Sequence, residues 1–135
     1  MVQALIDTIQ DHYPSVEAVY LFGSAADGTE RPDSDIDIAL LLPPEEAKSA
    51  GSLSFSDLKY ELEEKFGKRV DLINLRTVST VFKKEITVFG KRVFCAPGSE
   101  VDIFEMLVLS FYGKLNEERA GILEAFTSTG KAYEV

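Results

Sequence analysis

The chain has 135 residues, a length typical of one domain, and its 45% hydrophobic and 27% charged residues are ordinary for a globular protein. Fourteen basic against 23 acidic residues give a net charge of -9, which disfavours binding to nucleic-acid backbones and to anionic membrane surfaces. The longest apolar run is far shorter than the ~20 residues of a membrane span, and no signal-peptide pattern is visible. We therefore expect a cytoplasmic domain. Its single cysteine, Cys95, excludes an intrachain disulfide framework, and we expect it to be a buried small hydrophobic residue.

The first half of the chain alternates between helical and strand patterns. Apolar spacing predicts a helix over the first dozen residues. Two apolar runs, at residues 18–22 and 35–42, predict buried strands, and the polar residues 23–34 between them predict a loop. Residues 45–54 are small and polar, and we expect them to form a loop as well.

The second half continues this alternation. Two more helices, each with a polar cap and a terminal glycine, flank a third strand, and an edge strand precedes a long C-terminal helix. This order predicts an α/β (α+β) fold, with a small mixed sheet of three to four strands flanked by helices. The expected elements are a helix from Ser54 or Ser56 to Gly67, a strand at 69–74, a helix from Thr77 to Gly90, a strand at 92–95 and a helix from 100 to about 126. In the helix that begins at Thr77, we expect Val78, Val81, Phe82 and Phe89 to face the core. Gly113 or Gly121 could interrupt the last helix.

The pattern that carries chemistry is Asp35-Ile36-Asp37 in the second strand, together with Asp71 in the third. Side chains two apart in a strand point to one face, so Asp35 and Asp37 lie together, roughly 7 Å apart at their bases. Neighbouring carboxylates repel unless a proton or a cation lies between them, and Mg²⁺ is the common cation of phosphate chemistry. If the third strand neighbours the second, Asp71 joins the pair, and three carboxylates can hold the two metal ions of a phosphoryl-transfer site.

A Gly23-Ser24 pair ends the first strand, and ten residues separate this pair from Asp35. Glycine lets the backbone turn sharply and approach a ligand, and the serine hydroxyl with the following N–H groups can bind phosphate oxygens. Arg31, in the same loop, is a further candidate for a phosphate or base contact. Each feature alone is most often structural, but their occurrence in this order on successive strands favours a functional site.

Three segments carry a resemblance to a known family: Tyr20–Ser24, Arg31–Asp37 and Arg69–Leu75. Their order and spacing resemble the signature of the DNA polymerase β-like nucleotidyltransferase superfamily, over roughly residues 1–95. Within it, the chain is most similar to the minimal nucleotidyltransferases (MNT), stand-alone catalytic domains. Many of these are the antitoxins of HEPN–MNT toxin–antitoxin pairs.

The resemblance implies an activity and a role for each candidate residue. With ATP and Mg²⁺ (two ions), the protein would transfer AMP to a tyrosine of a cognate HEPN RNase toxin and so silence it, releasing pyrophosphate. Asp35 and Asp37 would bind both metals. Asp71 would bind the catalytic metal and help to deprotonate the attacking hydroxyl. Gly23 and Ser24 would hold the triphosphate.

Two other functions remain open at this point. The acceptor could be a small molecule or an RNA, although few residues follow Cys95 to form a second substrate domain, and the net charge disfavours RNA. Alternatively, the protein neutralises its toxin by contact alone. Asp27, where related sequences often carry a basic residue, favours this second alternative, whereas the intact carboxylates disfavour it because unused repelling charges cost stability.

The C-terminal part has its own pattern. We expect a catalytic domain at residues 1–97 and a helical extension at 98–135, packed on the core and part of an interface. Apolar residues occupy two faces of this helix, so two sides need to be buried. One face would meet the core, and the other would either fold back on the sheet or meet a partner. The first stripe is Phe104, Leu107, Val108, Phe111 and Leu115; the second is Val101, Met106, Leu109 and Tyr112.

Overall fold

A computed structural model of the chain describes residues 2–23 and 35–129, with side chains as far as residue 120. Helices and strands alternate as predicted. A 3₁₀ turn follows the third strand at Leu75–Thr77, and a π-helical turn at Glu85–Phe89 continues the fourth helix. The bounds are α1 Val2–His12, β1 Ala18–Phe22, β2 Ile36–Leu41, α2 Pro44–Ala50, α3 Asp57–Phe66, β3 Val70–Asn74, α4 Thr80–Lys84, β4 Lys91–Cys95 and α5 Val101–Thr129.

The four strands form one mixed sheet in the order β3-β2-β1-β4. Strand β1 is antiparallel to both β2 and β4, whereas β2 and β3 are parallel. The predicted fold class is confirmed, and so is the position of β4 at a sheet edge. Because β3 lies directly beside β2, the acidic residues of these two strands come to the same end of the sheet.

The sheet separates two apolar cores. Helices α1, α2 and α3 cover one face, where Ile36, Ile38 and Leu40 of β2 are buried. The other face, against α5 and the π-helical turn, buries Ala39 and Leu41. Since side chains alternate along a strand, Asp37 lies on this second face, at the end of a buried row.

Helix α3 begins and ends at the predicted residues. The Ser56 hydroxyl accepts a hydrogen bond from the Lys59 N–H (3.3 Å), and Gly67 ends the helix in the left-handed conformation (φ 63°). The Glu63 carboxylate then accepts the Val70 N–H at 3.0 Å, which ties the helix to the first residue of β3.

The prediction of a loop at residues 45–54 was wrong for residues 45–50, because Pro44–Ala50 forms helix α2, and it is confirmed for residues 51–54. Ala47 is buried, and the side-chain amide of Asn74 donates hydrogen bonds to the carbonyls of Ala47 (2.9 Å) and Gly51 (2.8 Å). These donors come from β3, 23 or more residues away in sequence. The helix therefore depends on tertiary contacts that its own sequence does not reveal.

The fourth helix also differs from the prediction. Its cap is Ser79 instead of Thr77, since the Ser79 hydroxyl accepts the N–H three residues later (3.2 Å). Val81 and Phe89, predicted to face the core, are exposed, whereas Ile86 is buried. The π-helical turn changes the angular spacing of these residues, so a regular helical period misplaces Phe89. The cysteine prediction was wrong too: Cys95 is exposed because β4 is an edge strand.

Helix α5 runs without interruption past both glycines. Its least exposed side is a stripe at three- and four-residue spacing, formed by buried Val101 and Val108 and half-buried Phe104, Tyr112 and Leu115. The two predicted stripes were therefore wrong in detail, and five apolar residues within the described side chains are exposed: Ile103, Met106, Leu107, Leu109 and Phe111. The alternative in which both apolar faces fold back on the sheet is excluded for these residues.

A polar cluster fixes α5 on the sheet. The Tyr20 hydroxyl donates a hydrogen bond to the Glu105 carboxylate, and Arg92 pairs with Glu105 (2.9 Å) and Asp102 (3.2 Å). Burial, followed by the bond to Glu105, raises the pKa of Tyr20, so the hydroxyl remains a donor. Among the helices of residues 2–23 and 35–129, none combines the length and apolarity that crossing a membrane requires.

We expect Asn74→Ala to lower the free energy of unfolding by about 2 kcal/mol, because the carbonyls of Ala47 and Gly51 would each lose a hydrogen bond in a largely buried place, although the Ala47 carbonyl would still accept the Gly51 N–H. Urea denaturation measures the change. Ser52→Ala, at an exposed residue near the same helix end, is the control and should have little effect. Equal stability of the two variants would contradict the role of Asn74.

Candidate active site

The centre of the candidate site is a pair of carboxylates on adjacent strands. In the parallel pairing of β2 with β3, Asp37 lies directly opposite Asp71. Asp37 is half-buried, Asp71 is exposed, and a hydrogen bond joins their side chains. Two carboxylates can share a hydrogen bond only when a proton lies between them, so the pair is a place for either a proton or a cation.

The electrostatics of Asp37 follow from this geometry. Burial, the hydrogen bond with Asp71, and the negative charges of Asp71 and Asp35 raise the pKa of the Asp37 carboxyl to about 6. At neutral pH the Asp37 carboxyl is still mostly ionised, so without a cation its negative charge repels that of Asp71. A bound divalent cation would relieve the repulsion, since it neutralises both groups together.

Gly23 lies against this carboxylate. Strand pairing puts Phe22 opposite Asp37, and Gly23 follows with a positive φ of 63°. A Cβ atom at Gly23 would lie 2.2 Å from Asp37 Oδ2, a distance that real Cβ contacts do not show. Glycine is thus required twice, for its backbone conformation and for the space that the Asp37 carboxylate occupies.

The structure brings together three of the six residues proposed from the sequence: Asp37, Asp71 and Gly23. Asp35 lies one residue before β2, is exposed, and contributes a negative charge near Asp37. Ser24 and Arg31 lie outside the described residues. Within residues 2–23 and 35–129, no three His, Cys, Asp or Glu side chains are arranged as a group that could hold a metal ion.

The donor chemistry nevertheless fits a hard divalent cation. Asp37 and Asp71 offer carboxylate oxygens side by side, and Asp35 lies two residues from Asp37 in the chain. Oxygen ligands of this kind are those of Mg²⁺. The observation that supports a cation is the acid pair itself, in which Asp37 lies opposite Asp71 and the two negative charges repel each other.

Sequence reasoning missed an apolar cavity beside Gly23. It has a volume of about 290 Å³ and is lined by Phe22, Phe82 and Phe89 among others. Helical periodicity assigned Phe82 and Phe89 to the core, and only the π-helical turn reveals that Phe89 is exposed. One signal was present: Phe22 directly precedes the Gly-Ser pair, so it had to lie near the site.

The fold and the acidic pair define a class of protein, and comparison with known proteins agrees. Residues 3–99 match the family model described as "Polymerase beta, Nucleotidyltransferase". Because the match covers well over half of the chain, the protein belongs to this nucleotidyltransferase family, and the resemblance of its motifs is confirmed.

Individual relatives within the nucleotidyltransferase family are a protein adenylyltransferase and antitoxins of toxin–antitoxin pairs. The chain is 32% identical over 122 residues to the protein adenylyltransferase MntA of Shewanella oneidensis, covering 89% of this chain and 83% of that protein. It is similar in structure to a crystallised toxin–antitoxin with AMP-PNP (TM-score 0.71, 28% identity, 93% of this chain and 98% of the other). A complex of a tri-AMPylated Shewanella oneidensis HEPN toxin with its MNT antitoxin also matches (TM-score 0.63, 27% identity, 94% and 99% coverage).

We expect Asp71→Asn to raise the thermal stability of the protein in EDTA at pH 8. The amide removes one negative charge and can donate a hydrogen bond to Asp37. Because the pair is half-exposed, solvent screening reduces the gain to about 1 kcal/mol. For a chain of this size that corresponds to about 4 °C in Tm.

Mg²⁺ should raise the Tm of the unmodified protein and have much less effect on Asp71→Asn. Glu118→Gln, at an exposed carboxylate on α5, is the matched control and should change neither value. A clear fall in the Tm of Asp71→Asn in EDTA would show that the acid pair is not repulsive.

Proposed function

We propose that the protein is a protein adenylyltransferase and antitoxin, which transfers AMP from ATP to a tyrosine of a cognate HEPN toxin. The observation that carries the proposal is the Asp37–Asp71 pair beside Gly23, in a chain of the nucleotidyltransferase family. The MntA relative supports a protein acceptor, and the AMPylated HEPN toxin of the similar complex supports the toxin as that acceptor.

The reaction forms one bond and breaks one. The tyrosine oxygen attacks the α-phosphorus of ATP, the bond between the α- and β-phosphates breaks, and pyrophosphate leaves. Asp71 is the exposed member of the pair and lies on β3, an edge strand of the sheet. We propose that its carboxylate accepts the proton of the attacking hydroxyl. Positioning and charge neutralisation account for most of the catalysis in such transfers.

Asp35, Asp37 and Asp71 would hold Mg²⁺, with two ions as the expected number. The cation supplies charge neutralisation at the reacting phosphate. Gly23 allows the chain to pass close to Asp37, and Ser24 and Arg31 are proposed to hold the phosphates of the nucleotide. Residues 1–97 would form the catalytic domain, and residues 98–135 a helical extension.

The other candidate functions are less well supported. None of the relatives described above is named for a small-molecule or RNA acceptor, and their named partners are proteins. An inert antitoxin would retain the repulsion between Asp37 and Asp71 without using it. The acid pair therefore favours an active enzyme.

We expect Asp35→Asn combined with Asp37→Asn to abolish AMP transfer while the fold remains intact. The substitutions remove the charges that would bind the cation but preserve the side-chain shape. The assay incubates each protein with α-phosphate-labelled ATP, Mg²⁺ and a lysate of the native host. Circular dichroism checks the fold, and Glu118→Gln serves as the control that should transfer normally.

A labelled protein band that requires the two aspartates would establish adenylylation, and mass spectrometry would identify the acceptor residue. Label in RNA or in a small molecule would instead favour the alternative acceptors. Unchanged labelling by the double variant would refute the site. No label from a folded protein that still binds its toxin would favour inhibition by contact.

The exposed apolar face of α5 supports a protein partner. Ile103, Leu107 and Phe111 recur every four residues on one side of the helix and are 48%, 45% and 59% exposed. Exposed apolar residues clustered on one element often mark an interaction surface. We therefore assign this face to the HEPN toxin.

We expect Leu107→Glu and Phe111→Glu each to weaken the complex with the toxin by at least about tenfold, because each would bury a charge at an apolar interface. Co-expression and pull-down, followed by calorimetry, measures the effect. Phe55→Glu is the matched control, since Phe55 is 84% exposed but lies beside α3. If only Phe55→Glu lost binding to the toxin, the interface would lie away from α5.

A further inference from the structure

The cavity beside Gly23 lies between the end of β1 and the π-helical turn that follows α4. Its wall includes Phe22 from the strand and Phe82, Glu85 and Phe89 from the helix. At about 290 Å³, it has room for a planar heterocycle. The proposed catalytic residues do not use this space.

Two of the aromatic rings form a fixed wall. Phe22 and Phe82 pack edge to face, with ring centroids 5.8 Å apart and planes at 84°. This arrangement is a favourable aromatic contact, which holds both rings in place without a ligand. The wall is therefore preformed, as is common for small-molecule sites.

The third ring is different, because Phe89 is 66% exposed. The Lys84 ammonium lies 4.7 Å from its centroid, over one face of the ring. An aromatic ring has two faces, so a second planar group can still stack on Phe89. A large apolar side chain with this much exposure, at the rim of an apolar cavity, is well placed for such a group.

The π-helical turn is what creates this position. Turns of this type occur frequently at functional sites. Gly90 ends the turn by donating its N–H to the Ile86 carbonyl (2.9 Å), and a Cβ atom at Gly90 would lie 2.3 Å from that oxygen. Glycine thus lets the turn close tightly against β1 and keeps the cavity beside Gly23.

The cavity and the acid pair share a residue. Gly23 lines the cavity and also lies against the Asp37 carboxylate. A nucleotide whose α-phosphate lies at Asp37 and Asp71 has its base one ribose away from that phosphate. The cavity is the apolar space next to the pair among the described residues, and a base is the apolar part of a nucleotide.

We propose that this cavity binds the adenine base of the nucleoside triphosphate, with Phe89 as the stacking residue. The inference rests on the proposed nucleotidyl transfer and adds to it the part of the site that selects the base. Glu85 is the acidic residue of the lining, and its carboxylate can accept a hydrogen bond from the 6-amino group of adenine. Guanine has a carbonyl at that position, which a carboxylate repels.

The test compares two ligands on the full chain with Mg²⁺: α,β-methylene ATP, whose α–β bridge cannot be cleaved, and inorganic tripolyphosphate, which has no base. Calorimetry measures both affinities. Phe89→Ala should weaken binding of the ATP analogue by about tenfold, in line with the loss of one base–aromatic stack. It should leave the affinity for tripolyphosphate unchanged.

Two further variants make the result specific. Val88→Ala removes a neighbouring exposed apolar side chain of the same turn that does not line the cavity, and should bind both ligands normally. Phe89→Tyr keeps the ring and should retain the affinity of the unmodified protein. Since Phe89 is exposed, its truncation should not change the Tm, and a thermal scan checks this.

Equal affinity of Phe89→Ala and the unmodified protein for the ATP analogue would overturn the inference. So would equal affinity of the unmodified protein for α,β-methylene ATP and α,β-methylene GTP. In either case, labelling that depends on Asp35 and Asp37 would still support the proposed function. If the unmodified protein bound neither ligand and labelled nothing, the proposed function and the base site would both fail.

Discussion

The in-register pairing of Asp37 with Asp71 is the constraint on which the rest of the structure depends. Parallel strands β2 and β3 place the two carboxylates side by side, where they repel in the ionised form. The fold holds them there because the remaining residues of β2 are buried on both faces and cannot shift register without exposing the core. The absence of a side chain at Gly23 leaves room for the Asp37 carboxylate. A repulsive pair that is held by so much apolar packing is typical of a site built for a cation and its ligand.

The small size of the protein explains the character of its last helix. A four-stranded sheet needs cover on both faces, and α5 covers part of the second face with Val101, Phe104 and Val108. The cluster of Tyr20, Glu105 and Arg92 sets the orientation of the helix on the sheet. Because this face of α5 packs on the sheet, the apolar side chains on the other side of the helix do not contact the sheet. The helix thus serves the core on one side and leaves apolar side chains exposed on the other.

Most of the fold could be predicted because the signals were local. Acidic and apolar residues alternate at the start of strand β2, two prolines follow the strand, and α3 has both a serine cap and a terminal glycine. Helix α2 could not be predicted, since the Asn74 amide that satisfies its last carbonyls comes from a distant strand. The face of α5 was misassigned because a helix that is apolar on two sides does not indicate which side meets the core. The exposure of Phe89 depends on the π-helical turn, and no helical period predicts such a turn.

The sequence by itself determined the chemical groups of this protein and their order: a glycine after the first strand, a spaced pair of aspartates, and a third aspartate in a later strand. These are local patterns, and their spacing alone matched the nucleotidyltransferase family. Only the tertiary structure decided which groups meet. It placed Asp71 opposite Asp37, Gly23 against the Asp37 carboxylate, and the aromatic cavity beside both. The physical reason is that strand order, register and helix rotation are set by packing between segments far apart in the chain, which a local pattern does not encode.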